Sequence, residues 1–218
     1  YPALQAGIAL APRGMGSFLA MPLVGILLGR IDARRLLALG VVGGSVTLFW
    51  LGALDLSAGY WDVFWPQFLQ GISLALLFVP LTTITMDPIP REKMGNATSI
   101  FNLMRNIGGS MGIATATTLL ARRQQTFFNV LGAHADPYSL ETRAVLEQIR
   151  DAFLARGSDL VTATRQAQAA LVGLVQRQAA MLSFNDVFRV LGALFVVMLP
   201  LLVLMKTPRT GRGPTGIH

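Results

Sequence analysis

The chain has 218 residues, of which 53% are hydrophobic and only 13% are charged, and its formal net charge is +7. Soluble domains of this length rarely have so apolar a composition, whereas polytopic membrane proteins typically do. The basic residues lie between apolar runs and not on one polar domain, so they do not predict nucleic-acid binding. The absence of cysteine excludes disulfides, thiol catalysis and Cys-based zinc sites.

Five segments of the chain are long and apolar enough to cross a bilayer, which takes about 20 residues. In chain order these segments are 7–29, 36–54, 62–86, 97–121 and 183–206. A long polar segment, 122–182, precedes the last of them, and a short tail, 207–218, follows it. The sequence therefore predicts an all-α membrane protein with five transmembrane helices and a helical loop outside the membrane.

Basic residues are unevenly distributed between the connectors, and this distribution predicts the orientation of the chain. The connectors "GRIDARR" and "DPIPREK" and the tail are basic, whereas "DLSAGYWD" contains two aspartates and no base. We therefore expect both basic connectors and the C-terminus in the cytoplasm, which leaves residue 1 outside. The chain opens on "YPALQAGIAL", with no initiator Met and no charged signal region, so we expect a fragment of a longer protein.

Polar residues inside the fourth span are the first candidates for function. Arg105 shares one helix face with Asn102 and Asn106, because the three are spaced i, i+3 and i+4. A charge at bilayer depth costs at least about 2.5–3.5 kcal/mol on insertion scales, so this face is expected to point into protein or water. Two interpretations stay open: a stripe that lines a substrate path or gate, and a hydrogen-bond network between packed helices.

The third and first spans carry further candidates for a substrate path. Gln67 and Gln70 lie one turn apart on one side of the third span, although Gln67 is close to the outer interface. Arg13 lies toward the outer side of the first span, where a pathway or gate role and a side chain extended to the interface both fit. The three threonines after Pro80 are expected to be structural, since hydroxyls can bond carbonyls freed by a proline.

The basic turn after the first span is a candidate conformational latch. Asp32 lies among Arg30, Arg34 and Arg35, and it is placed to cap the next helix and to pair with one of the arginines. Such a pair would hold two spans together on the inside and break when the helices rock. A positive-inside turn with no further role accounts for the same residues.

The polar segment before the last span predicts two amphipathic helices that pack on each other or dock a partner protein. Asp136 is a candidate N-cap with Pro137 at the first helical position, Gly157 ends the first helix, and Ser158 caps the second. No nucleophile–base arrangement or phosphate loop is present, and the two histidines, at 134 and 218, are far apart. We therefore expect neither an enzyme nor a bound cofactor or metal.

Three blocks of sequence resemble one transporter family. "FWPQFLQGISLALLFVPLTTIT" and "ATSIFNLMRNIGGSMGIAT" resemble the EmrB/QacA-type drug:proton antiporters of the major facilitator superfamily, which have fourteen helices. The ending "SFNDVFRVLGALFVVMLPLLVLMK" is similar to the final helix of the EmrB branch. The resemblance covers essentially the whole chain, and it implies helices ten to fourteen of a bacterial inner-membrane exporter of hydrophobic drugs.

The resemblance also implies a role for the basic turn. "GILLGRIDARR" resembles the C-terminal-half copy of the superfamily's cytoplasmic loop, whose acid and bases act as a conformational latch. The sequence departs from the family pattern at Gly29, and its acid, Asp32, comes later in the loop than the family pattern has it. Which arginine pairs with Asp32 therefore stays open. The residues implied in the latch are Gly25, Arg30, Asp32, Arg34 and Arg35.

Partners follow from the same resemblance. Asp62 and Asp186 lie at the outer ends of their spans, so the membrane carboxylates that couple protons to export are expected in an N-terminal transmembrane half. The implied partners are that half, the lipid bilayer, hydrophobic drugs, a periplasmic adaptor that contacts 122–182, and an outer-membrane channel. Two alternatives stay open: a transporter for one defined solute, such as a siderophore or lipid precursor, and a non-transporting scaffold or sensor.

Overall fold

The computed structural model describes residues 3–134 and 140–204, and no β-strand occurs in that part of the chain. The predicted all-α class is confirmed. A short 3-10 turn at Arg91–Lys93 precedes the fourth helix. The α-helices are α1 (Ala3–Leu28), α2 (Ala33–Leu51), α3 (Tyr60–Met86), α4 (Met94–His134), α5 (Leu140–Leu154) and α6 (Leu160–Leu204).

Four of the described helices, α1, α2, α3 and α6, are long and apolar enough to cross a membrane. They overlap the first, second, third and last predicted spans, and α2 ends at Leu51, three residues before the predicted end of its span. The predicted fourth span, 97–121, is helical throughout as part of α4, but α4 as a whole is more polar than these four. The crossing of the bilayer by α4 therefore stays a prediction. If α4 does cross, its polar face has to lie against protein or water.

Two helices extend well beyond the predicted spans. α4 continues past residue 121 to His134, and α6 runs unbroken from Leu160 through the predicted start of the last span at 183. Gly173 does not interrupt α6, since one glycine inside a helix costs only about 1 kcal/mol relative to alanine. The predicted outer pair of helices is therefore α5 together with the first half of α6. Asp136 and Pro137 lie outside the described residues.

In the turn between α5 and α6, the predicted helix end at Gly157 is confirmed, whereas the predicted cap at Ser158 is wrong. Gly157 has a positive φ of 91°, and its N–H donates to the carbonyl of Leu154 in a helix-ending Schellman motif. The cap of α6 is Asp159 and not Ser158, because the backbone N–H of Thr162 donates to Asp159 Oδ2 at 3.3 Å. Hydrogen bonds from Thr162 lower the pKa of the exposed Asp159 carboxyl.

The described residues form two compact units, which we treat separately. Unit 1 consists of residues 3–112 and 188–204, and unit 2 of residues 113–134 and 140–187. α3 is the central helix of unit 1, since it packs against both α1 and α2. Unit 2 contains α5 and the first half of α6.

Close backbone approach holds α1 against α3. A Cβ atom added at Gly71 would collide with the carbonyl oxygen of Arg13, and one added at Gly16 would collide with the carbonyl oxygen of Phe68. Next to this crossing lies a small core built on Ala20 of α1. Apolar side chains gain nothing from leaving lipid, so the association of helices in a membrane depends on close contact. Small residues permit that contact because they let the two backbones approach each other.

Glycines of α2 make the other close contacts of unit 1. Gly40 lies against α3, and a Cβ atom at Gly44 would come within 2.9 Å of the Phe195 ring on α6. Gly40 and Gly44 are a pair of small residues spaced four apart, and both pack tightly against neighbouring helices. Gly108 and Gly112, a second such pair, have open space around them within the described chain.

Hydrogen bonds fix the relative direction of α2 and α6. Ser45 Oγ donates to the carbonyl of Gly192 at 3.0 Å, and Arg189 Nε donates to the carbonyl of Gly52 at 3.0 Å. Rising numbers on α2 pair with falling numbers on α6, so the two helices are antiparallel. α2 is also antiparallel to α3, since Gly40 lies against Leu76 while Gly43 faces Ser73. The start of α2 and the ends of α3 and α6 therefore share one end of unit 1.

We predict that Gly71→Ala in the full-length protein lowers the free energy of unfolding by about 1–3 kcal/mol, because an added methyl group forces α1 away from α3. The thermal unfolding midpoint in detergent should fall. Gly132→Ala is the matched control, since a Cβ there meets nothing within 4 Å. Equal midpoints for the two variants would show that the α1–α3 crossing is not tight.

Candidate functional site

A cavity of about 260 Å³ lies inside unit 1, between α1, α2, α3 and α6. Two of the predicted path residues, Arg13 and Gln70, line it together with Ser73. The rest of its lining is apolar apart from Gly44 and comes from α2, α3 and α6: Leu48, Leu74, Leu77, Phe188, Leu191 and Phe195.

Arg13 and Gln70 lie at matching depths in the bundle. Arg13 is ten residues past Ala3 and Gln70 ten past Tyr60, roughly 15 Å along each helix at 1.5 Å per residue. The Arg13 side chain is exposed, and it forms no hydrogen bond or ion pair with any described residue. A cation therefore lies well inside an apolar helix, beside an amide and without a counter-ion from the described chain.

Ser73 is a cavity residue that the sequence reasoning missed. It is 4% exposed, and its hydroxyl donates to the carbonyl of Leu69 in its own helix at 3.0 Å. The spacing of three residues from Gln70 was the available signal, since positions i and i+3 share a helix face. Gln70 and Ser73 thus present an amide and a hydroxyl to the same space.

Gln67 belongs to α3 but does not line this cavity. Its Oε1 atom is buried and has no hydrogen-bond donor among the described residues. An unpaired buried amide oxygen costs roughly 1–3 kcal/mol, so this atom needs a partner from water, a ligand or another part of the protein.

The three candidates on α4 form a separate exposed face. Asn102 and Asn106 are exposed and have no hydrogen-bond partner among the residues that the structure describes. The guanidinium carbon of Arg105 lies 5.2 Å from the centre of the Phe78 ring on α3, within cation–π range. Within the described chain, this face therefore meets another helix at Arg105 alone.

The basic turn combines a helix cap with an unpaired arginine. Asp32 is the N-cap of α2, and its Oδ1 accepts a hydrogen bond from the backbone N–H of Arg34 at 3.2 Å. In the described chain Asp32 forms no ion pair with Arg30, Arg34 or Arg35, and Nε of Arg34 is buried without a partner. A Cβ at Gly25 meets nothing within 4 Å. The predicted cap is confirmed.

Hydroxyls after Pro80 stay within α3. Thr82 Oγ1 donates to the carbonyl of Val79 at 2.8 Å, and Thr83 Oγ1 donates to the same carbonyl at 3.0 Å. The carbonyl that the proline leaves free is that of Leu76, and neither threonine reaches it. The threonines are structural, as expected, but through other carbonyls than the freed one.

Three carboxylates near the ends of the apolar helices, Asp55, Asp62 and Asp186, have structural partners. Asp62 Oδ2 accepts a hydrogen bond at 2.8 Å from the backbone N–H of Gly59, the residue before α3. In the preceding turn, two hydrogen bonds from Ser57 lower the pKa of the Asp55 carboxyl. Arg123 Nε lies 2.8 Å from Asp186 Oδ2, an ion pair at an angle outside hydrogen-bond geometry. None of these carboxylates lines the cavity of unit 1.

In unit 2, α5 and the first half of α6 enclose a groove of about 660 Å³. Ile149 and Phe153 of α5 line it, together with Ala169 and Leu174 of α6. Residues of both outer helices thus face one groove, and Arg156 and Arg177 place positive charge beside the apolar surface.

Comparisons with known proteins match this architecture. Residues 1–121 match the family model of the Major Facilitator Superfamily. The chain is 29% identical over 224 residues to the multidrug export protein EmrB of Escherichia coli (strain K12), across 100% of this chain and 41% of that protein. It is 27% identical over 208 residues to the fatty acid resistance protein FarB of Neisseria gonorrhoeae, across 95% of this chain and 39% of that protein.

A third relative is the colistin resistance protein EmrB of Acinetobacter baumannii, which is 25% identical over 201 residues, across 92% of this chain and 39% of that protein. The chain thus spans about two fifths of the length of these relatives. A family match over more than half of the residues agrees with several apolar, closely packed helices. This multi-pass membrane chain belongs to the major facilitator superfamily of transporters.

Proposed function

We propose that the chain is the C-terminal part of a proton-driven multidrug exporter in a bacterial inner membrane. The observation that carries this proposal is similarity along the whole chain to a multidrug export protein. Two exposed arginines on helices of unit 1, Arg13 and Arg105, support it, because intramembrane ionisable residues mark transport pathways by default.

Transport would proceed by alternating access, in which unit 1 rocks against an N-terminal transmembrane half about a central site. Unit 1 is suited to move as one body. Glycine contacts fix α3 to α1 and α2, and the bonds from Ser45 and Arg189 fix α2 to α6. A rigid bundle transmits motion to both ends of its helices without repacking its interior.

Hydrophobic drugs would contact leucine, methionine and phenylalanine walls, with few polar groups to orient them. We assign the polar contacts or gate interactions to Gln70, Asn102 and Arg105. Arg13, Gln67 and Asn106 are the remaining path candidates. The exposure of the α4 residues supports this assignment. A polar helix face that no part of this chain covers has to lie against another part of the protein or against water, because lipid cannot solvate it.

Proton coupling would use the proton gradient and no bound cofactor. The carboxylates at the helix ends in this chain have structural roles as caps and in an ion pair. We therefore assign the proton-carrying acids to the N-terminal half. The basic turn would act as the latch, with Asp32 and the arginines around it changing partners between conformations. The buried, unpaired Nε of Arg34 supports a partner outside this chain.

A transporter for one defined solute is the second candidate, and one observation favours it. The relative from Neisseria gonorrhoeae carries a name that refers to fatty acid resistance, a single substrate class. A transport screen distinguishes the two candidates, because a multidrug exporter moves several unrelated apolar compounds whereas a dedicated transporter moves one class.

Arg105→Ala in the full-length protein should reduce proton-driven drug transport in proteoliposomes at least tenfold, because it removes the cation from the proposed path. Arg105→Lys should keep part of the activity. Arg91→Ala is the control, since this exposed arginine lies in the connector before α4. Unchanged export by Arg105→Ala at normal membrane levels would remove Arg105 from the mechanism.

The proposed orientation predicts the labelling of single cysteines, which the absence of cysteine in this chain makes practicable. A membrane-impermeant maleimide should label Ser57→Cys in intact spheroplasts, because the acidic connector is assigned to the outside. It should label Lys93→Cys only after permeabilisation. Labelling of both from one side would contradict the assigned topology and with it the cytoplasmic C-terminus.

We assign contact with a periplasmic adaptor, which leads to an outer-membrane channel, to the groove of α5 and α6. Ala169→Glu places a charge in that groove, so it should lower drug resistance of whole cells at least tenfold. Transport in proteoliposomes needs no adaptor and should be unaffected. Val172→Glu, at an exposed valine outside the groove lining, is the matched control. Equal resistance of the two variants would contradict adaptor docking there.

A further inference from the structure

The cavity of unit 1 combines a cation, two polar groups and an apolar interior, and its position differs from that of a site between two halves of a transporter. All of its lining residues belong to unit 1, so the cavity would move with this bundle. Arg13 is exposed, whereas Ser73 is only 4% exposed. The polar part of the lining thus includes an exposed cation and a buried hydroxyl group.

Arg13 is the reason to expect a ligand there. No carboxylate lines the cavity, and Arg13 forms no ion pair with any residue in the described ranges 3–134 and 140–204. A guanidinium cation at membrane depth is costly unless an anion lies beside it. An anion that binds beside it, with Gln70 as a second hydrogen-bond donor, would offset that cost.

The apolar part of the lining indicates that the other end of the ligand is apolar. Leu74, Leu77 and Phe195 form part of an apolar wall that can bind a tail but offers no hydrogen bonds. Since an apolar cavity of about 150 Å³ already holds benzene, the 260 Å³ found here has room for a short chain or a substituted ring.

We propose that this cavity is a binding site for an anionic amphiphile, with its anionic head on Arg13 and Gln70 and one tail among the leucines and Phe195. The site is a feature of the C-terminal bundle itself. It rests on the proposed transport function only in that the bound amphiphile would also be exported; binding is measured without transport.

The test uses octanoate as the probe and the full-length protein in nanodiscs of zwitterionic lipid, with binding heats corrected for empty nanodiscs. Octanoate should bind at least tenfold more tightly than octanol, its uncharged counterpart. Arg13→Gln should abolish this preference, and Arg13→Lys should keep part of it. Arg91→Gln, which removes an exposed arginine outside the cavity, should bind as wild type does.

A second variant keeps the test decisive if Arg13→Gln fails to fold. Leu74→Trp retains the cation but fills the space for the tail, so octanoate affinity should fall at least tenfold, about 1.4 kcal/mol. Full binding by a folded Leu74→Trp variant, or by a folded Arg13→Gln variant, would overturn the site. So would equal affinities for octanoate and octanol.

Two sources of the anion are separated by adding phosphatidylglycerol to the nanodiscs. Displacement of octanoate by this lipid would support the anion site and assign it to a membrane lipid. Undiminished octanoate binding would assign it to a free amphiphile. Transport assays on the unsubstituted full-length protein keep the proposals distinct, because absence of drug export together with intact octanoate binding leaves this site standing while it removes the proposed transport function.

Discussion

The backbone contact of α3 with α1 and α2 is the constraint on which the rest of unit 1 depends. Glycines at 16, 71 and 40 bring the helices so close that an added methyl group has no room. In a bilayer, helices do not associate to leave the solvent, so close packing has to supply the attraction. The cavity lies among the same helices, with Leu48 of α2 and Leu191 of α6 in its lining.

The cost of placing charge in the membrane is the second constraint, and it depends on how far along a helix the charged residue lies. Asp32 and Asp62 accept hydrogen bonds from backbone N–H groups at helix starts, and Asp186 forms an ion pair, so these three carboxylates have partners close by. Arg13 and Arg105 differ, since one lines a cavity without a counter-ion in the described chain and the other lies over the Phe78 ring. A cation–π contact is worth about 0.5–2 kcal/mol, so it offsets only part of the cost of an arginine in the membrane.

The candidate site could be predicted only in part, and its residues show why. Arg13 and Gln70 stand out in the sequence because they are polar within apolar runs. Their meeting in one cavity depends on the α1–α3 crossing, which no local pattern encodes. Ser73 was missed because a serine in a membrane helix usually bonds its own backbone, as this one does. Gln67 and Gln70 looked equivalent by spacing, yet only Gln70 reaches the cavity.

By itself the sequence determined the helical class, the approximate position of the spans, the cap at Asp32 and the turn at Gly157, because each follows from local composition or backbone chemistry. The structure alone decided that the second outer helix and the last span form one continuous helix, Leu160–Leu204, and which glycines touch a neighbour. It also decided which polar residues share a cavity. Those outcomes depend on helix crossings between residues far apart in the chain, and such contacts leave no periodic signal within a single segment.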